Sequence, residues 1–153
     1  MSITDIKEHQ DFSVNSIEWE IKYIIDEFQE LIVEKNVEIK HIQSKDFTVN
    51  CDKEYLYIFL SNIIKNAIKF SHNWGVINIS YMDNKCIIQD FWEWIKKENI
   101  EKIFDRFFQE QQSRNSEGFW IWLALVSKIA HIYKWKISIE SEKWEWTKFI
   151  INF

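Results

Sequence analysis

The chain has 153 residues with 19 Lys plus Arg against 24 Asp plus Glu, a formal charge of −5; that length suits one domain with its own core, and so few basic groups exclude the clustered positive surface that nucleic acid demands. Cys51 and Cys86 form no Cys-x-x-Cys pair, which points to reduced thiols instead of a disulfide framework. No apolar run approaches the roughly 18 residues of a bilayer span, and Met1 to Asp5 lack the basic and apolar regions of a secretion signal, so a cytoplasmic segment without membrane contact is expected.

Residues 1–12 are expected to be the end of a preceding helix or a linker, with 13–153 forming the domain. From 17 to 36, Ile21, Ile24, Ile25, Phe28, Leu31 and Ile32 recur at steps of three and four, one apolar stripe on an amphipathic helix. Residues 37–42 and 47–50 alternate as short strands do, and the polar stretch Gln43 to Asp46 between them predicts a hairpin. Asp52 stands where a carboxylate accepts the free amides of a first helical turn, and Leu56, Phe59, Leu60, Ile63, Ile64 and Ala67 form the buried face of a helix that runs to about Phe70. Residues 76–81 and 85–91 are period-two or fully apolar around Met82, Asp83 and Asn84, a second hairpin. Apart from Ile100, Ile103, Phe104, Phe107 and Phe108, residues 96–117 are polar and read as a mobile loop. A third amphipathic helix is expected from Ile121 to Tyr133, followed by strands over 136–141 and 147–153. The sum is an α/β (α+β) fold: a two-layer sandwich whose mixed sheet is covered on one face by three helices.

On the helix opened by Asp52, the residues Asn62, Asn66 and Lys69 fall at i, i+4 and i+7, a polar stripe on an otherwise apolar element. Amide oxygens suit a hard cation such as Mg²⁺, whose shell is completed by water and phosphate, and a lysine meets phosphate as a point charge. A merely solvent-facing stripe is the plainer alternative.

The segment Asn62 to Ser71, NIIKNAIKFS, resembles the N box of sensor histidine kinases, within the wider ATPase family that also holds gyrase and Hsp90. Asp90-Phe91-Trp92-Glu93-Trp94-Ile95 is similar to the G1 box Asp-x-Gly-x-Gly-Ile with both glycines written as Trp. Ile103 to Phe108 resembles the F box, and Gly118-Phe119-Trp120-Ile121-Trp122-Leu123-Ala124-Leu125 the G2 box Gly-x-Gly-Leu-Gly-Leu-Ala, again with two glycines replaced. Lys134 to Ile137 and Glu140 to Thr147 look like the family's Gly-Lys-Ile and Glu-Ser-x-x-Gly-x-Gly-Thr. One short box recurs by chance; these stand in family order over residues 52–153.

The resemblance implies a Bergerat-type ATP-binding fold and a set of roles. Asn66 is implied to ligate the Mg²⁺ that bridges the ATP phosphates, with Asn62 in support, while Lys69 meets phosphate and Phe70 packs near the nucleotide. Asp90 is implied to accept a hydrogen bond from the adenine amino group. The G1 positions Trp92, Trp94 and Ile95 and the G2 positions Gly118, Trp120, Trp122 and Leu123 are implied to line the same site. Residues 105–122 correspond to an ATP lid, in which Arg106 and Arg114 are candidates for phosphate contact and Phe107 and Phe108 pack against lid or core.

The chain holds 2 Gly, no Pro and 9 Trp, where an ordinary chain of this length carries about 11 Gly. Trp74, Trp92, Trp94, Trp120, Trp122, Trp135, Trp144 and Trp146 all fall where the family pattern has glycine, and Trp19 alone stands outside. Glycine serves in such boxes because it reaches positive φ without steric cost and lets backbone amides approach phosphate. An indole does neither, which suggests a reassigned codon, most simply UGA, that the source organism reads as Gly.

The implied reaction is transfer of the γ-phosphoryl of Mg-ATP to a histidine. None of His9, His41, His72 and His131 matches the family's acceptor motif His-Glu-x-x-x-Pro, so all four are expected to be structural or surface residues. The implied partners are a histidine-bearing dimerisation domain, in cis or in trans, and a response regulator. Two other readings stand beside this one: a serine kinase of the anti-sigma type, and, with Trp taken literally, a degenerate module that binds no ATP and whose paired indoles stack on a sugar or peptide.

Overall fold

The computed structural model describes residues 12–71, 73–90, 117–142 and 146–153, with side chains for all of these except 70, 117–123 and 141. Its elements are β1 (Phe12–Ser16), α1 (Ile17–Glu27), α2 (Gln29–Lys35), β2 (Glu38–His41), β3 (Thr48–Asp52), α3 (Lys53–Phe70), β4 (Val76–Met82), β5 (Lys85–Asp90), α4 (Glu117–Tyr133), β6 (Lys136–Glu142) and β7 (Trp146–Asn152). The expected end-of-helix character of residues 1–12 lies outside the described residues except at Phe12, which opens β1.

The long helix α3 follows from its sequence. Asp52 Oδ1 accepts the Glu54 amide at 2.8 Å, satisfying one of the orphan donors of the first turn. Leu56, Phe59, Leu60, Ile63, Ile64, Ala67 and Ile68 then form a face that is 2% exposed or less. Against it pack Ile17, Ile21 and Ile24 of α1 and Val126, Ile129 and Ala130 of α4, so α3 lies between α1 and α4. The other layer is a five-stranded mixed sheet in the order β2-β4-β5-β7-β6, parallel only between β2 and β4. The mixed α+β fold is the expected one.

Three expectations are corrected. The predicted helix over 17–36 is two helices, because the Phe28 amide is shared between Ile24 O and Ile25 O and tightens the chain before α2 begins. The segments 37–42 and 47–50 do not pair with each other: β2 joins β4, while β3 pairs antiparallel with β1 in a separate two-stranded sheet. The stretch between them follows β4, where Ile42 N donates to Ile79 O and Lys45 N to Tyr81 O. Finally, α4 begins at Glu117, four residues ahead of the predicted Ile121, so 117–122 of the expected lid are helical.

The hairpin β4–β5 turns through Asp83 and Asn84 at φ 52° and 61°, the left-handed pair that a two-residue hairpin uses. Cys51 and Cys86 are free and buried, and burial pushes both thiols up to about 12, as inert core residues.

A two-part cap starts α1. Ser16 Oγ accepts the Trp19 amide at 3.1 Å and donates to Asp46 Oδ2 at 2.7 Å, while Asp46 Oδ1 accepts the Glu18 amide at 2.9 Å. Burial raises the Asp46 pKa, but the Ser16 hydroxyl and neighbouring amides outweigh it and hold the carboxyl below its usual 3.8. A depressed carboxyl pKa stabilises the fold above the unfolded value, and that contribution disappears as pH falls through the folded one. Asp46→Ala is expected to cost about 1 kcal/mol at neutral pH and less in acid, read from urea midpoints at both pH values; an equal loss at both would assign the effect to packing.

Candidate nucleotide site

Period two carries the core face of the sheet straight to the site. On β4, β5 and β7 the buried side chains stand in register as rows: Tyr81, Cys86 and Ile151; then Ile79, Ile88 and Phe149; then Ile77, Asp90 and Thr147. The third row continues the same inward-facing alternation, yet two of its three members are polar. Asp90 and Thr147 are each 1% exposed, and a carboxylate so deep costs several kcal/mol unless it is hydrogen-bonded or paired. A carboxylate kept at the end of an apolar sheet face has the burial of a ligand contact. In the sequence Thr147 only closes the segment that looks like Glu-Ser-x-x-Gly-x-Gly-Thr; the fold adds its register opposite Asp90.

The α3 stripe is not a solvated face throughout. Asn62 is half-buried, Asn66 is 7% exposed and Lys69 is exposed. Each amide nitrogen turns back along the helix, Asn62 Nδ2 to Ile58 O at 2.6 Å and Asn66 Nδ2 to Asn62 O at 2.7 Å. Each amide gives an N–H to the backbone and keeps its oxygen as an acceptor, the type of atom a hard cation takes. Among the described residues there is no group of three or more His, Cys, Asp or Glu that could hold a metal. The amide oxygen of Asn66 is of the kind a hard cation accepts beside phosphate and water oxygens.

Phe70 ends α3, with its side chain outside the described residues. Gly118, Trp120, Trp122 and Leu123 lie in the first turns of α4, their side chains likewise outside. Trp92, Trp94, Ile95, Arg106, Phe107, Phe108, Arg114 and Trp144 fall outside the described residues altogether, as does the expected mobile loop up to residue 116. His41 is exposed with its ring 6.3 Å from that of Tyr81, and His131 is exposed; His9 and His72 lie outside the description.

Residues 51–153 match the family described as histidine kinase-, DNA gyrase B-, and HSP90-like ATPase. The chain belongs to this ATPase family. Its relatives within it are sensor kinases. The heme sensor protein HssS of Staphylococcus saprophyticus is 27% identical over 155 residues, covering 99% of this chain and 29% of that protein. Sensor histidine kinase WalK of Bacillus subtilis is 30% identical over 131 residues, covering 78% of this chain and 21% of that protein. The chain thus spans less than a third of the length of these curated relatives. In fold it matches the nucleotide-free catalytic domain of histidine kinase ThkA, with TM-score 0.76 and 24% identity over 93% of this chain and 94% of that one. ThkA in complex with the response regulator protein TrrA matches with TM-score 0.71 and 23% identity, over 92% of this chain and 40% of that one. Neither the anti-sigma-type serine kinase nor the aromatic module is favoured by these likenesses. The family is one of ATPases, for which ATP is the implied ligand, and among the described residues of the chain no helix is long and apolar enough to cross a membrane.

The tryptophans of this ATPase-family domain divide by environment. Trp74 sits at φ 68° and is 78% exposed, a left-handed backbone that costs a residue with a β-carbon about 1–2 kcal/mol and costs glycine nothing. Trp135 is different. Its ring is 8% exposed and lies 4.9 Å from the rings of Phe59, Tyr133 and Phe153. The left-handed residue beside it is Lys134 at φ 60°, which closes α4 with Trp135 N donating to Ala130 O at 2.9 Å. Backbone strain therefore supports glycine at 74 and is silent at 135. Trp74→Gly is expected to raise stability by about 1 kcal/mol, seen as a higher urea midpoint; a lower one would show that the indole holds this turn.

Proposed function

We propose that the chain is the catalytic ATP-binding domain of a two-component sensor histidine kinase, the domain opening at β1. It transfers the γ-phosphoryl of ATP to a histidine on a dimerisation domain outside this chain, in cis or in trans, in the cytoplasm. A response regulator then takes the phosphoryl group.

The observation that carries this reading is the buried Asp90 in the third row of the sheet, on the strand that packs against α3, the helix that carries the buried Asn66. Asp90 accepts from the adenine amino group and so selects adenine over guanine, whose corresponding position is an acceptor. Thr147, opposite it in register, borders the same end. Mg²⁺, bound with ATP, supplies neutralisation of phosphate charge, held by Asn66 with Asn62 in support. Lys69 adds a positive charge at the phosphates, Phe70 packs at the nucleotide, and Arg106 and Arg114 meet phosphate from the lid. Trp92, Trp94, Trp120 and Trp122 mark positions that are glycine in the native protein, decoded from a reassigned codon. The strained φ of Trp74 supports that reading at one position.

The test uses the domain with Trp74, Trp92, Trp94, Trp120, Trp122, Trp135, Trp144 and Trp146 returned to glycine, mixed with labelled ATP and a histidine-bearing dimerisation domain. Acid-labile phosphate on the partner is expected, with none accumulating on the catalytic domain alone. Acid-stable phosphate on a serine would establish the anti-sigma type of kinase instead.

A further inference from the structure

Lys35 ends α2, and its side chain crosses to the end of α3. Its Nζ donates to Lys69 O and to Ser71 O, each at 2.5 Å. The Lys35 carbonyl meanwhile accepts the Trp74 amide at 3.0 Å. One residue thereby joins α2 to the last turn of α3 and to the turn leading into β4. The closing carbonyls of a helix form the negative end of its dipole, so an ammonium is favourable there. The helix held in this way is the one that carries Asn62, Asn66 and Lys69.

Burial lowers the Lys35 pKa from 10.5, and the charges of Asp90 and Glu34 oppose that shift. A lysine needed only for solubility on α2 would point its head into water; this one is half-buried and spends its donors on two backbone carbonyls.

We infer that Lys35 is a positioning residue of the nucleotide site: it fixes the end of α3 that presents Lys69 to the phosphates. The inference rests on the reading of Lys69 given under the proposed function. Because Lys35 acts through the helix end that carries Lys69, its loss affects ATP and spares adenosine.

The experiment measures adenosine and Mg-ATP affinity by calorimetry in the glycine-restored domain and in two variants of it. Lys35→Gln carries no charge at the helix end, and it is expected to weaken Mg-ATP about tenfold while leaving adenosine unchanged. Lys35→Arg keeps the charge and is expected to bind within about threefold of the parent. In the unsubstituted parent, the ¹⁵N signal of Lys35 Nζ is expected to shift when Mg-ATP is added, a reading that needs no variant to fold. Unchanged Mg-ATP affinity in Lys35→Gln, an equal loss for adenosine, or a silent Nζ signal overturns the inference while leaving the proposed function intact. A parent that binds neither adenosine nor ATP overturns both.

Discussion

ATP is expected to bind the glycine-restored domain and to show no measurable affinity for the chain carrying tryptophan at 92, 94, 120 and 122. Nucleotide loops of this family close on bare backbone, whose amides reach the phosphates only where no side chain intervenes. Protein interiors are packed as tightly as organic crystals, and each overpacked group costs about 1–3 kcal/mol. Indoles at these positions together exceed about 3 kcal/mol, more than a hundredfold in affinity. Calorimetry on the two proteins side by side reads the difference. Equal affinity would mean that the loops accommodate the rings and that the family resemblance leaves the tryptophans unexplained.

The second large effect concerns Asp90. In the glycine-restored domain, Asp90→Asn keeps the size of the side chain but presents a neutral amide, and the hydrogen bond it loses is of the charged kind, about 1.5–3 kcal/mol. ATP affinity is expected to fall by roughly 10- to 100-fold, with circular dichroism unchanged. Selectivity should weaken in parallel, because the preference for ATP over GTP resides in the same contact. If Asp90→Asn binds ATP as the parent does, the buried carboxylate in the third row of the sheet is a structural group and adenine is read elsewhere.

What the sequence made legible, and what it did not, has physical reasons. Helix α3 was readable because its apolar residues recur at steps of three and four behind a capping Asp52. The β4–β5 hairpin was readable because Asp83 and Asn84 tolerate left-handed backbone between two alternating runs. Strand β1 was not, since it inverts the usual code: Phe12 and Val14 face outward at 62% and 72% exposure, while Asn15 is buried. The amide of Asn15 bonds Ser13 O, Val49 O and Cys51 O, so a polar residue does the holding that an apolar one ordinarily does. The partner of β2 was equally hidden, because parallel pairing with β4 depends on chain that returns some 35 residues later and leaves no local turn signal.

In the site, Asp90 was visible only as the first residue of the segment that resembles the G1 box, and the Asn62, Asn66 and Lys69 stripe as polarity on an otherwise apolar helix. Which of that stripe is buried was not visible; Asn66 turned out to be core and Lys69 surface. Thr147 and Lys35 were missed for one reason. Each acquires its place from a neighbour distant in sequence, Thr147 from the β5–β7 register and Lys35 from the end of α3.

The glycine reading can be tested without any activity, by tandem mass spectrometry of the native protein across the peptides that contain positions 92, 94, 120 and 122. The account predicts residue masses of glycine there, together with UGA at the corresponding codons. Tryptophan masses at those positions, or UGG codons, would contradict it.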